Sequence, residues 1–294
     1  MADAEFLYQQ GRVALNRLGL LGNIYVCPIC ATVFEYDSLI EKILTKEHAP
    51  PKSIAGRAVL LTCNTCNNLA GTSYDKQPKA RAKFLDAKKA ILSDGNGIFG
   101  GVKLDANGTI INASFQKDDI GISFDISAKH NDPKKIQAFR FALASEVGDL
   151  SLKLSYKSEY VARRASISDL KSCFVLLTAK FGYSYGLHDS LAQIRKQLVQ
   201  PTDSVHAHVY TKAESLPENS ILVSENHGLV LLKFLGMVHV LPWISHSYEH
   251  FQSFGKTKFK FSMSGEMFDF PKNFEAVLDN VGTVDLDLRI VPIK

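Results

Sequence analysis

Apolar residues at helical spacing open the chain. Between Ala4 and Leu18, the side chains of Phe6, Leu7, Val13, Leu15 and Leu18 fall on or near one face, with Glu5, Gln9, Gln10 and Arg12 between them, which predicts an amphipathic helix. The pattern then changes to β-branched and aromatic residues in "NIYVCPICATVFEYD", the look of a hairpin. Helical spacing returns in "PKARAKFLDAKKAIL", where Lys79, Arg81, Lys83, Lys88 and Lys89 face only Asp86. After the glycine-rich "SDGNGIFGGVKL", which marks a hinge, strands alternate from Val102 to about Tyr160, with a turn at Asn107-Gly108 and a short helix near "DPKKIQAFRFALAS". A longer helix is expected from Ser168 to Leu198, interrupted at "GYSYG" and ended by Pro201, and "ARRAS" before it reads as two adjacent arginines open to phosphate or as a solvated turn. From Val205 onward strands dominate, in "SVHAHVYTK", "SILVSEN", "GLVLLKFLGMVHVLPWI", "TKFKFSMSGEMFDF" and "TVDLDLRIV".

The expected fold class is therefore α+β: a compact N-terminal module over residues 1–95, then a larger, strand-rich region over 96–294, with a further division near 201. Gly95, Gly97 and Gly100 spell a dinucleotide fingerprint, but here a helix precedes and a strand follows, the reverse of what that site requires.

Composition narrows the picture modestly. The chain of 294 residues is 46% hydrophobic and 22% charged, ordinary for a globular protein, and its formal charge of +4 permits a nucleic-acid partner without demanding one. No apolar run is long enough to span a membrane and the first residues lack a signal-peptide core, so a cytoplasmic location is expected. In a reducing compartment, cysteines spaced as two Cys-x-x-Cys pairs point to a metal site more than to disulfides. Four of the five cysteines are so paired, Cys27 with Cys30 and Cys63 with Cys66. Two such knuckles suit a tetrahedral Zn²⁺. Cys173, amid apolar residues, reads as a small core side chain.

The residues between the knuckles argue for more than a structural ribbon. Residues 31–62 separate Cys30 from Cys63, a longer insert than the about 15–20 residues of a simple double knuckle. They contain Glu47-His48, followed by Pro50 and Pro51. A neutral imidazole suits a general base, and a carboxylate beside it can take a hard cation such as Mg²⁺. Neighbouring side chains on a strand point apart, so the pair serves one site only where the path bends, which the prolines favour.

The order C-P-I-C, L-T-K-E-H-A-P-P-K-S-I-A-G, L-L-T-C-N-T-C-N-N-L-A-G closely resembles the zinc-supported HNH endonucleases, ββα-metal nucleases of the McrA-like restriction and defence type. The resemblance covers Cys27 to Gly71. It implies His48 as the base that activates water, Glu47 and Asn67 as ligands of a catalytic Mg²⁺ or Mn²⁺, and Cys27, Cys30, Cys63 and Cys66 around a structural zinc. It also implies DNA as the substrate, with RNA left open. Ala58 stands where many members carry an Asn that braces the loop of the base. Lys52, Arg57, Lys79, Arg81 and Lys83 are the candidate phosphate contacts. Two readings compete with the nuclease: a zinc-stabilised nucleic-acid-binding module without catalysis, and a nuclease gated by a C-terminal sensor that takes a trigger ligand or forms a homo-oligomer. The remaining histidines, including His206, His208, His227, His239, His246 and His250, and the aromatics Trp243, Tyr248 and Phe251 read as parts of a β domain.

Overall fold

The structure, a computed structural model, describes residues 3–92, 97–106, 108–119, 121–144, 153–156, 158–201, 208–210, 216–254 and 265–278. It divides into two compact units, one of residues 1–78 with 162–294 and one of residues 79–161. The expected boundary near 95 lies inside the second unit, and its glycine-rich hinge at 93–96 lies outside the described residues.

The first unit opens with helix α1 (Ala4–Arg17), whose Asp3 cap accepts a hydrogen bond from Ala4 N. Its buried face is Leu7, Tyr8, Ala14 and Leu15, whereas Phe6 and Val13, expected on that face, are exposed. Strands β1 (Ile24–Val26) and β2 (Val33–Glu35) pair antiparallel around the first cysteine pair, as the sequence predicts. A short helix α2 (Asp37–Ile40) leads to the hairpin of β3 (Leu44–Ala49) and β4 (Arg57–Cys63), followed at once by α3 (Asn64–Ser73). The order is β–β–α. Helix α4 (Gln77–Leu92) then carries the chain away.

The second unit continues with β5 (Gly97–Ala106), β6 (Thr109–Lys117), β7 (Ile122–Asp125), α5 (Pro133–Ala144) and β8 (Lys153–Tyr156). Its antiparallel sheet runs in the order β7-β6-β5-β8, and Val102, Leu104, Ile111, Phe115 and Phe139 form its core. Both the antiparallel pairing of β5 with β6 and the helix follow the sequence pattern, with Asn107 of the expected turn outside the described residues.

The chain re-enters the first unit at α6 (Ala162–Phe181), breaks at Gly182, where φ is +85°, and proceeds through α7 (Tyr183–Gly186) and α8 (Ala192–Val199). The "ARRAS" segment is the first turn of α6 rather than a loop; exposed Arg163 and Arg164 hide the helical period there. After β9 (His208–Tyr210) come β10 (Ser220–Ser224), β11 (Leu229–Phe234), β12 (Met237–Pro242), α9 (Tyr248–Phe254) and β13 (Glu266–Asp269). These strands form an antiparallel sheet in the order β13-β10-β11-β12-β9. The segments 202–207, 257–264 and 283–291, with His206, lie outside the described residues.

One hydrophobic core runs through this unit. It joins Val26, Val59 and Leu60 of the N-terminal hairpins to Cys173, Phe174 and Leu177 of α6 and to Ile221, Val230 and Trp243 of the sheet. Helix α6 is buried at every position from Ile167 to Ala179, polar Ser168, Asp169, Lys171, Ser172 and Thr178 included, so it forms the central member. The cysteine-bearing hairpins are therefore not a free-standing module. Trp243 packs edge-on against Phe181 at 4.9 Å and lies in this core, whereas the buried Tyr248 and Phe251 belong to a separate, smaller cluster. Among the described residues, no helix is long and apolar enough to cross a membrane.

Candidate active site and metal centre

The four paired cysteines converge, with all four ligand atoms within 4.8 Å of one another. Sulfurs about 2.3 Å from one tetrahedral ion lie about 3.8 Å apart, and the Cys30 and Cys63 sulfurs are separated by 3.7 Å. Each knuckle is built locally. In the first, Ala31 N–H donates to the Cys27 carbonyl at 2.8 Å, and Ala31 takes the left-handed conformation that closes the turn. In the second, Cys63 is the N-cap of α3 and its sulfur accepts from Cys66 N–H at 3.5 Å. Cys63 N–H in turn reaches the Cys27 sulfur at 3.4 Å, tying the knuckles together. Burial drives the Cys27 thiol well above its ordinary pKa, while hydrogen bonds from its neighbours pull Cys30 down. Four sulfurs so close need a cation to be thiolates together, and the donor set and spacing fit zinc. Cys173, fully buried and with its thiol pushed up by burial, takes no part.

Glu47 and His48 lie near the far end of the same hairpin. The register of β3 against β4 shifts between them, Glu47 opposing Leu60 and His48 opposing Ala58, so Val59 is an extra residue on β4. Strand β3 ends at Ala49, and the two prolines turn the chain into the connecting loop. Gly56 closes that loop against Pro50: a Cβ there would sit 1.4 Å from the Pro50 carbonyl oxygen. His48 is half-buried, and its pKa is lowered by burial first, with help from the charge of Lys52. The ring is therefore neutral at physiological pH, the state in which it can accept a proton.

Glu47 is in a different situation. It is 2% exposed, and both of its oxygens are engaged. Oε1 lies 2.8 Å from Lys171 Nζ of α6 and accepts the His48 backbone N–H at 3.1 Å; Oε2 accepts the Thr62 hydroxyl at 3.1 Å. Lys171 also reaches Asp75 Oδ2 at 2.6 Å, and the Ser168 hydroxyl, one turn earlier on α6, donates to Asp75 Oδ1 at 3.1 Å. Burial disfavours the Lys171 ammonium, but Glu47 and Asp75 outweigh it and raise its pKa. Asn67, in the first turn of α3, donates its amide to the Thr45 hydroxyl at 2.9 Å. Thr45 lies directly across the ladder from Thr62. Asn67, the threonine pair, Glu47, Lys171 and Asp75 thus form one continuous polar strip beside α6.

Of the candidate phosphate contacts, Lys52 and Arg57 are exposed on the hairpin loop beside His48. Lys79 and Lys83 are exposed and Arg81 half-buried, all on α4 in the second unit. Sequence reasoning missed Lys171, Asp75, Thr62 and Ser168. The available signal was a lysine just ahead of the apolar run "CFVLL" in "DLKSCFVLLTAKF". No family model matches the chain, and no curated protein or solved structure matches it.

Proposed function

We propose that this chain is a zinc-supported HNH-type endonuclease that hydrolyses DNA phosphodiester bonds with His48 as general base, in a restriction or phage-defence role. The observation that carries the reading is the β–β–α unit with four cysteines at one end and a neutral, half-buried histidine at the other. That arrangement couples a structural ion to the correct placement of a base. His48 takes a proton from water, the water oxygen attacks phosphorus in line as the P–O3′ bond breaks, and the leaving 3′ oxygen takes a proton from solvent. Lys52 and Arg57, exposed on the loop next to the base, offer positive charge to the phosphate.

The divalent ion that the resemblance places on Glu47 and Asn67 does not fit the arrangement of these side chains. Both Glu47 oxygens are committed to Lys171, His48 N–H and Thr62, and Asn67 is tied to Thr45. No step is derived through that ion. This commitment of Glu47, together with Ala58 opposite His48, also favours a second reading, a zinc-held nucleic-acid-binding module.

Supercoiled plasmid separates the two. Zinc-loaded full-length protein and its His48→Ala variant are incubated with it, with and without added Mg²⁺ or Mn²⁺. Nicking or linearisation by the native chain that disappears in the variant supports the nuclease. Cutting that survives His48→Ala contradicts the assignment, and a gel shift without cutting by either protein favours the binding module.

A further inference from the structure

The cation that faces Glu47 belongs to the chain. Lys171 Nζ bridges two carboxylates, Glu47 at 2.8 Å and Asp75 at 2.6 Å, and is 2% exposed. We propose that Lys171 is the resident cation of the Glu47–Asp75 pair and a positioning residue for His48, so that a divalent ion cannot take up Glu47 while α6 is in place. The role of His48 as base rests on the nuclease reading; the cation assignment does not.

Three observations carry the proposal. First, Glu47 has little left to offer a metal. Oε1 already serves an ammonium and an amide, and Oε2 serves a hydroxyl. Mg²⁺ requires near-octahedral oxygens at about 2.0–2.1 Å, several of them waters, and a residue 2% exposed has no room for that shell. Second, Lys171 is not on a surface element that can swing aside. Every residue of α6 from Ile167 to Ala179 is buried, and Ser168 on the same helix pins Asp75 from the other side. Third, the oxygen that Lys171 holds is the one that accepts the His48 backbone N–H. Ala58 lies directly across from His48 in the ladder and has no polar group with which to brace it. The Lys171–Glu47 pair supplies that brace from the α6 side. The chain thereby fixes its base with an ammonium from a distant helix.

The test uses full-length, zinc-loaded protein and Mn²⁺, and reads binding rather than cleavage. In the native protein, paramagnetic broadening by Mn²⁺ should leave the amide signals of Glu47, His48 and Asn67 no more affected than those of the surrounding core. Selective broadening of those three, abolished by Glu47→Gln, would overturn the proposal without any Lys171 variant being needed. Lys171→Ala should gain one Mn²⁺ per chain in an electron paramagnetic resonance titration, and lose it again when Glu47→Gln is added. A Lys171→Ala protein that keeps its zinc and binds no Mn²⁺ would also overturn it. The His48 amide should exchange about tenfold faster in Lys171→Ala and return towards the native rate in Lys171→Arg. Unchanged exchange in a folded Lys171→Ala protein would refute the positioning role. Because no arm reads cleavage, a chain that fails to cut plasmid leaves these results intact. A chain that cuts with Mn²⁺ on Glu47 would keep the nuclease and lose this proposal.

Discussion

Two cation sites lie along one hairpin, and they are built on opposite principles. At the Cys63 end, four sulfurs converge from two knuckles, a donor set that suits a metal ion. At the Glu47 end, two carboxylates converge and the chain brings Lys171. The first site needs an ion from solution to be stable with its thiols ionised; the second carries its own. A metal ion outside and an ammonium inside do the same electrostatic work, but only the metal can be removed by a chelator. The hairpin is thus held at one end by something exchangeable and at the other by something covalent to the fold, with His48 next to the second.

The strongest way to break this comparison is to remove the exchangeable ion. Structural zinc contributes an apparent binding free energy of about 10–16 kcal/mol in small peptides. Chelation, or Cys63→Ser, should therefore unfold the hairpins and release one zinc per chain. Melting followed by circular dichroism, with a chromophoric chelator to count the metal, reads both. Next comes the resident cation. Lys171→Met strands the buried Glu47 carboxylate, with the partly exposed Asp75 beside it, and should cost about 3–5 kcal/mol in urea unfolding. Adding Glu47→Gln and Asp75→Asn to it should recover most of that loss, since a neutral, matched set escapes the desolvation cost.

A smaller effect comes from the loop that carries the base. Gly56→Ala puts a Cβ 1.4 Å from the Pro50 carbonyl oxygen, and the backbone on both sides must shift. A loss of about 1–3 kcal/mol is expected, with the zinc retained and the His48 amide shift altered. The smallest effect is on the acid side of the pH profile. His48 is lowered from 6.5 by burial and by Lys52. A base works when neutral, so cleavage should stay level as pH falls past 6.5 and decline only below it. A decline that begins above 6.5 would assign the titration to another group.

These two ends also differ in how far they were legible in the sequence. The cysteine cluster follows from local spacing: Cys-x-x-Cys fixes two sulfurs on one turn, and the hairpin and the start of α3 place them. The β–β–α order around Glu47 and His48 was implied by the resemblance to HNH endonucleases and not by local spacing, whereas α1, α4 and α5 were readable from their periodicity. The Glu47–Lys171 pair was not. It joins β3 to a helix that follows the whole second unit, and side-chain partners at that separation are fixed by packing, which no local pattern encodes. Glu47 looked like a free ligand because its neighbours in sequence are a histidine and a lysine. Its neighbours in space are Lys171 and Thr62. The shared core had the same origin. A module boundary after α4 follows from glycine content, but Val59 and Leu60 share one core with Phe174 and Leu177, and that sharing is invisible along the chain.

The most direct test of the account is a count of bound metal. Full-length protein is equilibrated with zinc and manganese together, desalted, and analysed for both elements, alongside a Cys30→Ser variant and a Glu47→Gln variant. The account predicts one zinc per chain, no manganese, loss of the zinc in Cys30→Ser and no change in Glu47→Gln. A second ion per chain that vanishes in Glu47→Gln, or a native chain that holds no zinc, would contradict it.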